Sequence, residues 1–170
     1  MLRFLVPCKG NILLDGVDIQ KYNIDHYRNL FSVLNQEFYL FADDLESNIL
    51  MGRTFDEKYL NDLIEKMKMK DLLSKLPNGY KSKLENRGEN LSGGERQKIG
   101  LLRSVVKDSP ILVLDEATSK IDNNYSEFVR SAILKFFPEK TIILISHKRE
   151  DLAGMDKVYR LCNCKLVRIK

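Results

Sequence analysis

The chain has 170 residues, 44% hydrophobic and 31% charged, with a net charge of +4, which fits one ordinary globular domain with a real core. The charge is too mild to argue for a nucleic-acid binder without clustering on one face, and no apolar run approaches the ~20 residues of a membrane-spanning helix. Three cysteines, Cys8, Cys162 and Cys164, make neither a disulfide framework nor a structural metal site and read as free thiols.

The opening MLRFLVPC has an apolar segment shorter than the ~7–15 residues of a signal-peptide core, so it reads as part of the fold. GNILLDGVDI (10–19) predicts two short strands around an Asp15-Gly16 turn. LFSVLNQ (30–36) predicts a strand running into a polar loop. Thr54 and Glu57 make a capping box, followed by Leu60, Leu63, Ile64 and Met67 at helical spacing. The stripe slips over 68–71 and resumes at Leu72, Leu73 and Leu76. Two helices with a break are expected, ended by Pro77-Asn78-Gly79. Lys66, Lys68 and Lys70 alternate with Met67 and Met69 and read as a solvated helix edge.

ENLSGGERQKIG (89–100) holds a second capping box, Ser92 with Glu95. Gly93 and Gly94 occupy its first turn, where each costs about 1 kcal/mol relative to alanine. Two such glycines imply that something approaches the backbone closely. A helix start with exposed N–H groups and no Cβ suits an anion by geometry and dipole.

Ile111–Leu114 is short and wholly apolar, as suits a strand buried on both faces of a parallel sheet. Residues near 123–137 predict a helix, with Phe128, Ala132 and Ile133 among its apolar positions. TIILIS (141–146) predicts a second buried strand, completing a βαβ unit with parallel strands. KVYRLCNCKLVRIK predicts a closing hairpin turning near Asn163. The fold class is therefore α/β, with a mostly parallel sheet. Residues 1–49 and 108–170 are expected to form the core and 50–107 an inserted helical subdomain.

Asp115 and Glu116 follow the strand at 111–114, and ligands gather at the carboxyl ends of parallel strands. Two adjacent carboxylates there can divide labour, one holding Mg²⁺ and the other polarising an attacking water. An acidic helix start would also explain the pair. His147 ends the next strand and can share that edge, where an imidazole bonds a phosphate oxygen or orients water. Gln36 ends an earlier strand, and its amide oxygen can reach Mg²⁺.

These pieces, in this order, resemble the ATPase domain of ATP-binding cassette (ABC) transporters. LSGGERQ is similar to the signature motif, ILVLDEATS to the Walker B strand with its catalytic glutamate, SKID to the D-loop, ISHK to the H-loop and VLNQEFYLF to the Q-loop. LFADDLESNIL and LPNGYKSKLENRGENLSGG resemble exporter-type cassettes in particular. The resemblance covers nearly the whole chain and implies a P-loop-NTPase-like core. By it, Glu116 is the base that activates water, Asp115 and Gln36 serve Mg²⁺, and His147 contacts the γ-phosphate of ATP. Ser92, Gly93 and Gly94, with Glu95 beside them, face a nucleotide held by a second cassette in a head-to-tail dimer, and Asp122 organises that interface. The Q-loop and helical lobe couple ATP to the transmembrane domain of an exporter, at the cytoplasmic face of the cell membrane.

Three departures stand out. Lys120-Ile121 occupies D-loop positions where Ala-Leu is commoner. Asn86 stands where exporter cassettes often carry Glu before Arg-Gly. No G-x-x-x-x-G-K-[ST] P-loop occurs; Gly79-Tyr80-Lys81-Ser82 lacks the glycine before its lysine. LRFLVPCKGNILLDG resembles the end of the helix after the P-loop, so the chain is expected to begin just downstream of it. Without that cradle and lysine, hydrolysis on this chain's own face is not expected. The expectation is a piece of an exporter-type cassette, with low stability when isolated. The alternative is a non-catalytic cassette that lends its signature motif to a partner. A DNA-repair-type cassette would carry long coiled coils, and no sustained heptads lie between Gln36 and Ser92.

Overall fold

The computed structural model describes residues 2–54 and 56–170. Its centre is a parallel sheet of β3 (Phe31–Leu34), β4 (Ile111–Asp115) and β5 (Thr141–Ile145), in that spatial order. Leu34, Leu114 and Leu144 stand in register, so all three strands deliver their carboxyl ends to one edge. Alternation along β4 splits the core between the two faces of the sheet. Leu112 and Leu114 join the larger apolar cluster; Ile111 and Val113 join a smaller one with Ile19, Tyr27 and Phe31.

Before the sheet, β1 (Leu13–Leu14) and β2 (Val17–Asp18) form an antiparallel hairpin. Asp15 and Gly16 both carry positive φ, 48° and 79°, as its two-residue turn requires. After the sheet, β6 (Tyr159–Cys162) and β7 (Lys165–Arg168) repeat the device around Asn163 and Cys164. All three cysteines are free and exposed.

Two short helices lie where no periodic stripe predicts them: α1 (Ile24–Asn29), capped by the Asn23 side chain, and α2 (Leu45–Leu50), capped by Asp44. α3 (Glu57–Lys66) and α4 (Lys70–Ser74) are the two predicted helices with a break. Lys68 adopts a left-handed φ of 51° in that break, which turns Met67 and Met69 inward to full burial and leaves the lysines facing water. The capping box at Thr54 and Glu57 does not form. Asp56, adjacent to the helix, accepts from the Lys58 N–H at 2.9 Å and takes the cap; Phe55 lies outside the described residues.

α5 (Gly93–Val106) packs Ile99, Leu101, Leu102 and Val105 into the larger cluster. α6 (Asn123–Phe136) connects β4 to β5, with Ala132 and Ile133 buried and Phe128 half-buried. β4 is buried as predicted, but β5 is not: its middle residues are half-buried and its ends exposed. β5 is an outer strand of the described sheet and β4 lies between two neighbours, so the same apolar composition meets different surroundings. No helix among the described residues is long and apolar enough to cross a membrane.

Candidate functional site

The register of the sheet brings together Gln36, Glu116 and His147. Gln36 Nε2 donates to Glu116 Oε2 at 2.5 Å, and His147 Nε2 stands 2.9 Å from Glu116 Oε1. One carboxylate is thus held on both oxygens by groups from the ends of the two flanking strands. Its backbone is held too. Glu116 sits at a left-handed φ of 49°, a conformation that disfavours side chains with a Cβ. Its N–H donates to Ile145 O at 3.0 Å and its carbonyl accepts from Gln97 Nε2 at 3.0 Å. Asp115, the last residue of β4, is half-buried beside it, and its carboxylate has no hydrogen-bond partner among the described residues.

The start of α5 forms the second half of the site. Ser92 Oγ accepts from the Glu95 N–H at 3.2 Å, and Glu95 Oε2 accepts from the Ser92 N–H at 2.9 Å. The predicted capping box is complete. Lys75 adds an ion pair to Glu95 at 3.0 Å. The Ser92 N–H, more than Lys75, holds the Glu95 carboxyl at about 2, below its ordinary 4.5. Nothing among the described residues requires the two glycines. Neither has positive φ, and a Cβ on Gly93 or Gly94 would meet nothing nearer than 3.8 Å or 3.4 Å. Alanine would fit both positions and help the helix. No acceptor among the described residues takes the Gly93 or Gly94 N–H. Open donors and a bare backbone fit a phosphate arriving from outside.

Ser92, Gly94 and Asp122 make no hydrogen bond to Gln36, Glu116 or His147 among the described residues. Asp122 instead caps α6 through the Tyr125 N–H at 2.9 Å. Gly93 and Gln36 do share a cleft of about 520 Å³, bordered by Phe38, Arg96, Gln97 and Lys120. Gln97 joins the site without a pattern in the sequence that assigns it a role. It lies one turn beyond Gly93, is buried, and bonds both the Glu116 carbonyl and, through Oε1, the Lys120 N–H at 2.7 Å. Its signal is an amide at helical spacing with Leu101, on the face that α5 buries with Ile99, Leu102 and Val105. Gly100 is a second: a Cβ there would collide with Phe38 and Leu34.

A family model described as ABC transporter matches residues 1–119. The ATP-dependent lipid A-core flippase of Neisseria meningitidis is 32% identical over 166 residues, covering 97% of this chain and 27% of that protein. ABC transporter B family member 17 of Arabidopsis thaliana is 34% identical, over 97% of this chain and 14% of that one. The chain thus spans about a quarter or less of these relatives. A solved structure of a bacterial Atm1-family ABC exporter with ATP bound superposes with a TM-score of 0.91 at 31% identity, over 98% of this chain and 30% of that one. Ordered motifs, their placement around one sheet edge and near-complete alignment agree: the chain belongs to the ABC transporter family.

Proposed function

We propose that this chain is part of the ATP-hydrolysing cassette of an exporter, coupling ATP binding and hydrolysis to transport in the complete protein. The observation that carries this is the Glu116 carboxylate held by Gln36 at 2.5 Å and His147 at 2.9 Å. Glu116 takes a proton from, or orients, the water that attacks the γ-phosphate. His147 fixes that carboxylate and presents its ring to the same edge. Asp115 and the Gln36 amide oxygen are the donors that would hold Mg²⁺, which when bound neutralises charge on the phosphates. The open N–H groups of Gly93 and Gly94, stiffened by the Ser92–Glu95 box, receive phosphate oxygens of a nucleotide held chiefly by a second cassette, with Asp122 at the interface. The 170 residues contain no P-loop, and in this reading the phosphate cradle is supplied elsewhere in the complete assembly. Residues 50–107 are the lobe that relays nucleotide state to a transmembrane domain, placing the cassette at the cytoplasmic face of the cell membrane. An intact Glu116–His147 pair favours this over a non-catalytic cassette, which has no use for it.

The test is a graft. This chain replaces the matching segment of the 31%-identical Atm1-family exporter, and ATP hydrolysis is measured for the chimera and its Glu116→Gln variant. The expected loss is at least about 100-fold, the low end for a general base. Equal rates would remove Glu116 from the chemistry and the proposal with it.

A further inference from the structure

Away from the strand ends, a cluster of cations without acidic partners among the described residues lies beside β3. A cavity of about 270 Å³ opens there, against the last turns of α5. Arg28, Arg53, Arg103 and Lys107 line it, with Phe4 and Phe31 among its apolar walls. None of the four cations forms an ion pair with a carboxylate among the described residues. They are anchored on main-chain carbonyls instead. Arg103 donates to Asn48 O at 2.7 Å and Tyr39 O at 2.9 Å; Lys107 donates to Arg28 O and Phe31 O. Among the described residues, Arg28 uses only Nε, on Leu2 O, and Arg53 only Nη1, on Leu50 O. Carbonyls fix these groups in place but leave their charge whole. Burial, and then the charge of Arg53, hold both Arg103 and Lys107 below their ordinary values, so one unrelieved cation is felt by two others.

We propose that this cavity binds a small phosphate-bearing molecule, with the free guanidinium nitrogens of Arg28 and Arg53 as its first donors. Four positive charges without an acid suit a multiply charged anion, and guanidinium forks match phosphate oxygens in pairs. Phe4, already under the Arg28 guanidinium at 5.0 Å, and Phe31 offer a surface for an apolar body. The site shares no lining residue with the cleft at Gln36 and Gly93.

Pyrophosphate is the probe. The full chain is titrated by calorimetry at ionic strength matched with chloride, beside Arg28→Gln, Arg53→Gln and Ser92→Ala variants. Both arginines are exposed, and melting curves in chloride verify that each variant folds. Saturable binding by the parent and at least tenfold weaker binding by each arginine variant are expected. Succinate in place of pyrophosphate should bind at least tenfold more weakly; equal affinity would overturn the assignment to phosphate. No saturable binding, or affinity untouched in both arginine variants, would overturn the site. So would affinity lost in Ser92→Ala and kept in Arg53→Gln, which would move the pyrophosphate to the start of α5.

Discussion

Replacing Gly100 by alanine sets two physical effects against each other. Gly100 is buried in the middle of α5. Helix propensity alone predicts a gain of about 1 kcal/mol. Packing predicts a loss. The new methyl would collide with Phe38 Cζ and stand 2.7 Å from Cε1 of that ring and 2.8 Å from Leu34 Cδ1, against the ~3.5–4.0 Å at which carbons meet without repulsion. Ring and leucine must each retreat by about 1 Å. Leu34 is pinned in β3 against Leu114, so most of the movement falls on Phe38. Overpacking of this kind costs about 1–3 kcal/mol, and the pinned leucine places it in the upper half of that range. The net loss is about 1–2 kcal/mol after the helix gain is subtracted. At this chain length that lowers Tm by about 2–8 °C, read by circular dichroism on heating. Phe38→Leu in the same background removes the ring edge and should recover part of the loss. A Gly100→Ala chain that melts at or above the parent temperature would refute the clash.

Three further outcomes follow from the polar contacts. Glu95 has a folded value of about 2 against an ordinary 4.5. Its contribution is therefore full above pH ~4.5 and lost as pH falls toward ~2. Glu95→Gln should cost about 1 kcal/mol at pH 7 and flatten the fall of stability with acid in urea titrations; parallel curves for variant and parent would contradict the cap. Arg103→Met leaves the carbonyls of Asn48 and Tyr39 unpaired and should lose about 2–4 kcal/mol in chemical denaturation; a loss under 1 kcal/mol would show that water replaces the guanidinium. Tyr125→Phe removes the 2.6 Å bond to Met67 O that ties α6 to the α3–α4 break. It should cost about 1–2 kcal/mol and speed amide exchange at residues 63–73 while leaving β4 protected; uniform acceleration would point to global loosening instead.

The elements legible in the sequence are those whose burial the sequence itself encodes. β4 reads as a strand because all four residues from Ile111 to Leu114 are apolar and all are buried. α5 reads from its capping box, which forms in full. α2 does not read, because six residues carry no repeat; it is held by tertiary contacts, with Asn48 buried and bonded to Phe41 and Arg103. The half-exposure of β5 does not read either, since strand order decides it and TIILIS is as apolar as ILVL. At the site, Gln36, Glu116 and His147 were legible because each follows an apolar strand and the three strands are parallel. Gln97 was not, because its importance lies in two backbone groups some 20 residues away in sequence, Glu116 O and Lys120 N–H, and one-dimensional spacing carries no trace of them.

The two anchors on the Glu116 backbone have a mechanical consequence. Gln97 is rigidly part of α5, one turn from the bare N–H groups of Gly93 and Gly94, and its amide grips the peptide that carries Glu116. A displacement of the start of α5 is carried by Gln97 to the segment 116–120 through its bonds to the Glu116 carbonyl and the Lys120 N–H. β5 holds the other side of the same residue and acts as the fixed point. Glu116 therefore sits like the short arm of a lever whose long arm is a helix, pinned on one side by β5 and gripped on the other by α5.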